Sequence, residues 1–305
     1  MKAEIKWTEE VKRVAAKIRL RGFQYVMENN GGYLSQICSS AEMLAYLYIR
    51  GMNLGPSTAP MIPEPFKGVP GEGRPYVSGA DYNGPKGPEL DRFIFSPAHY
   101  ALPLYVALIE AGRMSPEGLA EFNQDGSTVE LISAEHSPGA EVTSGSLAQA
   151  LSVAGGIALA RRLKGDSGTT WVMMSDGEFQ EGQTWEAVQA LANYKLDNIK
   201  VIVDVNEQQC DGPMESVMAI GSLEDKLNAF GAYAVDVDGH DIEAFDRLAQ
   251  TDTGGKPLFI LARTNPTQGV ELMETKRPTL HYLRFSSQEE KDGFQKAYDA
   301  MAKEV

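Results

Sequence analysis

Between residues 169 and 263 the chain alternates short, almost wholly apolar runs with longer amphipathic ones, and that alternation leaves few folds open. The segments 169–175 (TTWVMMS), 199–205, 233–237 and 257–263 read as strands, and 182–194, 222–230 and 242–250 read as helices. Strands that are apolar along their whole length need cover on both faces. Parallel sheets with crossover helices provide that cover. The expected fold class is therefore α/β, a doubly wound parallel sheet with helices on both faces. A chain of 305 residues can supply one such domain, and residues 1–305 are read as a single domain.

The upstream half is different. Apolar residues from Val11 to Met27 fall on one stripe of a helix expected over 8–28, and Asn29-Asn30-Gly31-Gly32 is a stop signal. A second helix is expected over 39–50, opened by a capping box from Ser39 to Glu42, so that 8–50 forms a helical N-terminal segment. Further helices are expected over 98–111, 116–122 and 146–163. The excursion 55–88 is crowded with Pro and Gly. So long a structureless stretch is either an exposed mobile loop or a functional or interface segment.

Lys and Arg number 28 against 42 Asp and Glu, a net charge of −14. Such a surface repels nucleic acid and anionic lipid, so neither is an expected partner. Two cysteines, Cys38 and Cys210, do not make a disulfide framework. With no secretory signal and no run of membrane-spanning length, the expectation is a soluble, cytoplasmic protein.

Chemistry concentrates where two expected strands end. Ser175-Asp176-Gly177-Glu178 follows one, Asn206-Glu207-Gln208 follows the next, and one helix joins them. In a right-handed βαβ unit those ends emerge on the same edge of the sheet. A carboxylate, an amide oxygen and a loop carbonyl suit a hard cation such as Mg²⁺ sharing phosphate oxygens, and Gly177 lets the backbone approach a diphosphate. Taken singly, Asp-Gly is a turn signal and an Asn after a strand is a cap or turn residue. Only their joint placement points to a metal–diphosphate site.

The stretch Asp176-Gly177-Glu178-Phe179-Gln180-Glu181-Gly182-Gln183-Thr184-Trp185-Glu186-Ala187, with Asn206 beyond it, resembles the thiamine diphosphate (ThDP) motif of the transketolase family. It is most similar to N-terminal subunits of split, two-chain bacterial transketolases. The likeness covers nearly the whole chain, through Leu90–His99, Glu141–Gln149, Asp238-Gly239-His240-Asp241 and Leu280-His281. It implies ThDP with Mg²⁺, or another divalent cation such as Ca²⁺ or Mn²⁺, held by Asp176, Asn206 and the carbonyl of Gln208. It also implies that Gly177 and Glu178 line the diphosphate, that Gly145 and Leu147 touch the cofactor ring, that His99 stands near the diphosphate and the reacting carbon, and that His281 reaches into the substrate channel as a polar or acid/base group. Glu181 and Glu186 match acidic positions at the family's dimer interface; the alternative for them is a solvated helix face.

Transketolases also need a pyrimidine-binding domain, for which no room remains after His281. The resemblance therefore implies a C-terminal partner chain, an α2β2 heterotetramer and small-molecule substrates. Three departures from the family pattern matter. Tyr33 stands where the family has a histidine. A Gly-His-Pro is missing near 125–131, where His136 could substitute only if its loop folds back. Ala148 and Ala150 replace two glycines, a change that a helix tolerates. The expected activity is two-carbon (ketol or acyl) transfer. The alternatives are a 2-oxo acid-decarboxylating, acyloin-forming subunit, or a non-catalytic cofactor-binding regulatory one. A nucleotide-binding protein is disfavoured, because no phosphate loop sits at a strand–helix junction.

Overall fold

The apolar runs form one five-stranded sheet in which every neighbouring pair is parallel. A computed structural model describes residues 6–305. In chain order the strands are β1 (Arg92–Phe95), β2 (Thr170–Ser175), β3 (Ile199–Val205), β4 (Tyr233–Asp238) and β5 (Leu258–Arg263), and in space they run β1-β2-β3-β5-β4. Side chains alternate faces despite the continuous apolarity. Trp171 and Met173 enter one core, Val172 and Met174 the other.

Chain order fixes which helix covers which face. The steps from β1 through β4 move in one direction, and right-handed crossovers put the helix that leads into each next strand on one side. These are α4 (Gln149–Lys164), α5 (Gly182–Asn193) and α6 (Leu223–Ala229), which share the core of Val172 and Met174. The step back from β4 to β5 sends α7 (Ile242–Ala249) to the other side. There it joins α1 (Trp7–Glu28), α2 (Leu34–Tyr46), α3 (Ala101–Glu110) and the final helix α8 (Gln288–Met301). The neighbours β3 and β5 thus send their outgoing chains to opposite faces.

The doubly wound expectation holds, with local corrections. The second helix begins at Leu34, not at residue 39: every residue from Leu34 to Tyr46 is buried, and the helix follows directly on Gly31-Gly32, which pairs antiparallel with Leu283-Arg284. Ser39 and Glu42 therefore make no capping box. Ser39 bonds Asp204 across the domain, and Glu42 pairs with Arg19 and His240. Residues 116–121 are a 3-10 segment. The edge strand β1 was not read from sequence, since only Phe93-Ile94-Phe95 of its four residues are buried.

The excursion 55–88 has one short 3-10 turn, Gly79–Tyr82, and is tied down at its ends. Arg113 donates to the carbonyls of Tyr82 (2.9 Å) and Gly55 (3.1 Å). Between these anchors Met61, Ile62, Phe66, Val69 and Tyr76 are exposed. Among the described residues no helix is long and apolar enough to cross a membrane.

Candidate active site

β2 and β3 bring Asp176 and Asn206 to one edge of the sheet, where the backbone N–H of Glu207 donates to Asp176 Oδ2 at 2.7 Å. Glu207 has φ 56, in the left-handed region, at a cost of about 1–2 kcal/mol for a non-glycine residue. That single reversal turns the N–H of Gln208 back onto Asn206 Oδ1 at 2.9 Å. The Asp and the Asn are therefore held by the same tight turn.

Beneath them lies Asp204, a wholly buried carboxylate inside β3. It accepts hydrogen bonds from Ser39 Oγ (2.6 Å), Thr264 Oγ1 (2.5 Å), Tyr100 OH (3.0 Å) and Asn206 Nδ2 (2.9 Å). Asn206 Nδ2 also donates to Tyr100 OH at 2.8 Å. Both amide hydrogens are thus engaged below the site, which fixes Oδ1 as the outward atom. Sequence reasoning passed over Asp204 and Tyr100 and gave Ser39 only a capping role. The one available signal was an acid inside an otherwise apolar strand.

Burial pushes the Asp176 carboxyl up to about 8, and the neighbouring Asp204 charge adds to the rise. Asp204 is also raised by burial, against the pull of its four donors. A divalent cation at Asp176 would reverse the first shift, and the local chemistry fits one. Gln208 Oε1 is buried with no partner. A Cβ added at Gly177 or Gly145 would meet nothing closer than 3.7 or 3.6 Å, so both walls have room for a ligand. Among the described residues no three His, Cys, Asp or Glu side chains converge on a point. A cation at Asp176 and Asn206 would therefore need ligand oxygens to complete its shell.

A cleft of about 490 Å³ opens here, and Asp176, Gly177, Gly145, Leu147, His99 and His281 line it. The rings of His99 and His281 stack at 5.6 Å. Burial, with His281 alongside, drives the His99 imidazole down to about 3, and burial lowers His281 too, so both are neutral near pH 7. The rings of Tyr33 and His281 meet perpendicularly at 5.7 Å, which puts Tyr33 next to a residue that lines the cleft.

Not every expected residue faces this space. Glu178 lies under the floor and does not line the cleft. Wholly buried, it accepts from Ser96 Oγ, Ala148 N (3.1 Å), Ser175 N (2.8 Å) and Ser175 Oγ (3.1 Å), forming a capping box at the start of the Asp176–Gln180 turn. Thr184 and Trp185 tie α5 back to the carbonyls of Glu178 and Phe179. Much of the Asp-Gly-Glu wording is thus scaffold. Glu181 is exposed and lines the cleft, whereas Glu186, more than a helical turn along α5, borders a separate groove against Gly155 and Gly156 of α4. His136 does not fold back into the cleft. It stacks on Phe66 at 4.6 Å and faces Glu130 at 3.0 Å, beneath the excursion.

Two further residues of the matching stretches have local roles. Ala150 is helical, but Ala148 precedes the helix at φ 72, so replacing glycine there is strained rather than tolerated. His240 is structural. Asn265 N–H donates to its Nε2 (2.9 Å), and its Nδ1 lies 3.0 Å from Glu42.

Comparison with known proteins gives this geometry a class. Residues 78–278 match the family model described as "Transketolase, thiamine diphosphate binding domain". The chain carries a thiamine diphosphate binding domain, and it belongs to the transketolase family. It is 35% identical over 280 residues to a transketolase family protein of Sinorhizobium fredii, covering 90% of each chain. It is 31% identical to one of the subunits of the apulose-4-phosphate transketolase of Actinobacillus succinogenes, over 83% of this chain and 82% of that one. The transketolase of Leishmania mexicana has the same fold, with TM-score 0.66 and 21% identity, and covers 96% of this chain. This chain spans 45% of the length of that solved transketolase.

Proposed function

We propose that the chain is the diphosphate-binding subunit of a two-chain transketolase that moves a two-carbon ketol unit between small-molecule substrates. A second polypeptide would supply the pyrimidine-binding domain, in an α2β2 assembly. The observation that carries this is the shared turn that holds Asp176 and Asn206 at adjacent strand ends, with the Asn206 amide oriented from below. The partner is supported by the likeness to a chain that is itself named as one subunit of a transketolase, and by the span of 45% of a solved transketolase. Cys38 and Cys210, neither in a disulfide, fit a reducing cytoplasm.

In this reading Asp176, Asn206 and the carbonyl of Gln208 hold Mg²⁺, which offsets the diphosphate charge. Gly177 leaves the backbone open to the diphosphate, and Gly145 and Leu147 flank the rings. Bound thiamine diphosphate supplies a nucleophilic carbon and an electron sink. The protein's own part is positioning and hydrogen bonding. The neutral imidazoles of His99 and His281 can donate to a substrate oxygen without adding charge to the cleft. Glu181 reaches the cleft rim, where the partner would dock.

The test is calorimetry of thiamine diphosphate binding to the full chain copurified with its partner, with Mg²⁺ and then with excess EDTA. Binding should require the metal and be lost in Asp176→Asn. Tight binding indifferent to EDTA and to that substitution would reject the site. Ketol transfer by the same complex tests the reaction. Release of CO₂ from pyruvate instead would assign a 2-oxo acid donor.

A further inference from the structure

Behind His281, on the side away from the cleft, lies a hydrogen-bonded chain that the proposed chemistry does not yet use. Gln36 sits on the first turn of α2, 2% exposed, and its amide nitrogen lies 3.0 Å from the backbone carbonyl of His281 and 3.0 Å from His281 Nδ1. Its amide oxygen accepts from Ser35 Oγ at 2.8 Å. A backbone carbonyl can only accept, so the NH₂ end of Gln36 must face His281, and the hydroxyl of Ser35 satisfies the other end. With one amide hydrogen on the carbonyl, the second points at Nδ1, which must then be the unprotonated ring nitrogen. A neutral imidazole with a bare Nδ1 carries its proton on Nε2.

We propose that Gln36 is a positioning residue that fixes His281 as the Nε2–H tautomer and so presents a permanent hydrogen-bond donor to substrate oxygen in the cleft. The inference rests on the placement of His281 in the transferase site given above. The ring has little freedom to escape this assignment, because His99 stacks on one side (5.6 Å) and the Tyr33 ring packs perpendicular to it on another (5.7 Å). Burial keeps the imidazole neutral, in agreement with a single ring proton. A fixed neutral donor suits a carbonyl oxygen of an aldehyde or ketone that gains negative charge as its carbon is attacked, since no reorientation is needed at that moment. It suits a substrate group that is itself a donor, such as an ammonium, poorly.

The chain has only four histidines, so ring nitrogens can be assigned by long-range ¹H–¹⁵N correlation on the full chain labelled with [¹⁵N]histidine. His281 should show a protonated Nε2 and a bare Nδ1. In Gln36→Glu the carboxylate accepts from the ring, the proton moves to Nδ1, and the cleft faces an acceptor. We expect kcat/KM of the reconstituted complex to fall about 100-fold, the loss typical of removing one preorganised donor. Thiamine diphosphate affinity should hold, because Gln36 touches neither the turn of Asp176 nor Asn206, whereas the unfolding midpoint should fall, since the new carboxylate cannot donate to the His281 carbonyl. Gln36→Met, which accepts nothing strongly, should leave a tautomer mixture and a smaller loss. A proton on Nδ1 in the wild-type chain, or unchanged turnover in Gln36→Glu, would overturn the inference. If the tautomer is as stated but the wild-type complex transfers no ketol group, the positioning stands and the assigned reaction fails.

Discussion

Replacing Tyr100 with Phe tests whether the layer beneath the turn sets the site above it. The hydroxyl makes two buried contacts, donating to Asp204 Oδ2 at 3.0 Å and accepting from Asn206 Nδ2 at 2.8 Å. A buried hydrogen bond to a charged group contributes about 1.5–3 kcal/mol and a neutral one about 1 kcal/mol. Phe fills nearly the same volume, so no sizeable cavity adds to the loss. Asp204 keeps three donors and Asn206 Nδ2 keeps one acceptor, which limits the unsatisfied groups to one amide hydrogen. The expected loss is therefore about 3 kcal/mol, read by urea unfolding of the full chain. The Asn206 amide, no longer clamped on both hydrogens, should also hold Mg²⁺ about 10-fold less well, as outer-shell partners of metal ligands commonly do. That part is read by titrating Mg²⁺ against thiamine diphosphate binding in the complex. A loss below about 1 kcal/mol with an unchanged metal requirement would show that the hydroxyl does not order the site.

Two other outcomes follow from local geometry. Ala148 is buried at φ 72, so in Ala148→Gly the relief of about 1–2 kcal/mol of left-handed strain offsets the lost methyl, and stability should stay near wild type. Ala154→Gly, buried mid-helix with no strain to relieve, should cost about 1.5–2 kcal/mol in the same urea assay, and equal losses would refute the strain. His99 is held down to about 3 against an ordinary value of 6.5. Its contribution to stability is complete above pH 6.5 and drains away as pH falls toward 3, because the unfolded chain takes the proton first. Between about pH 7 and about pH 5 the wild type should lose roughly 2 kcal/mol more than His99→Asn, and parallel pH curves would refute the burial of that ring.

Local signals decided a good deal. The apolar runs specified the four strands β2 to β5, and the residues just past two of them, Asp176 and Asn206, met where a βαβ unit must put them. Those inferences depend on neighbours in sequence, and the chain's own periodicity is enough to make them. Glu178 was misplaced for a related reason. A motif records that an acid is present, whereas the turn decides which way it points, and here it sends Glu178 under the floor.

What only the tertiary structure decided is the support. Ser39 reaches Asp204 across 165 residues, Tyr100 reaches Asn206 across 106, and Gln36 reaches His281 across 245. No periodicity encodes such pairs, since each exists only because α2 and the start of α3 pack on the sheet face beneath the carboxyl ends of its strands. Composition and pattern determined the sheet and which residues stand at its edge. Long-range packing determined which of their atoms face outward, because a buried polar group takes its orientation from whatever donor or acceptor the fold sets against it.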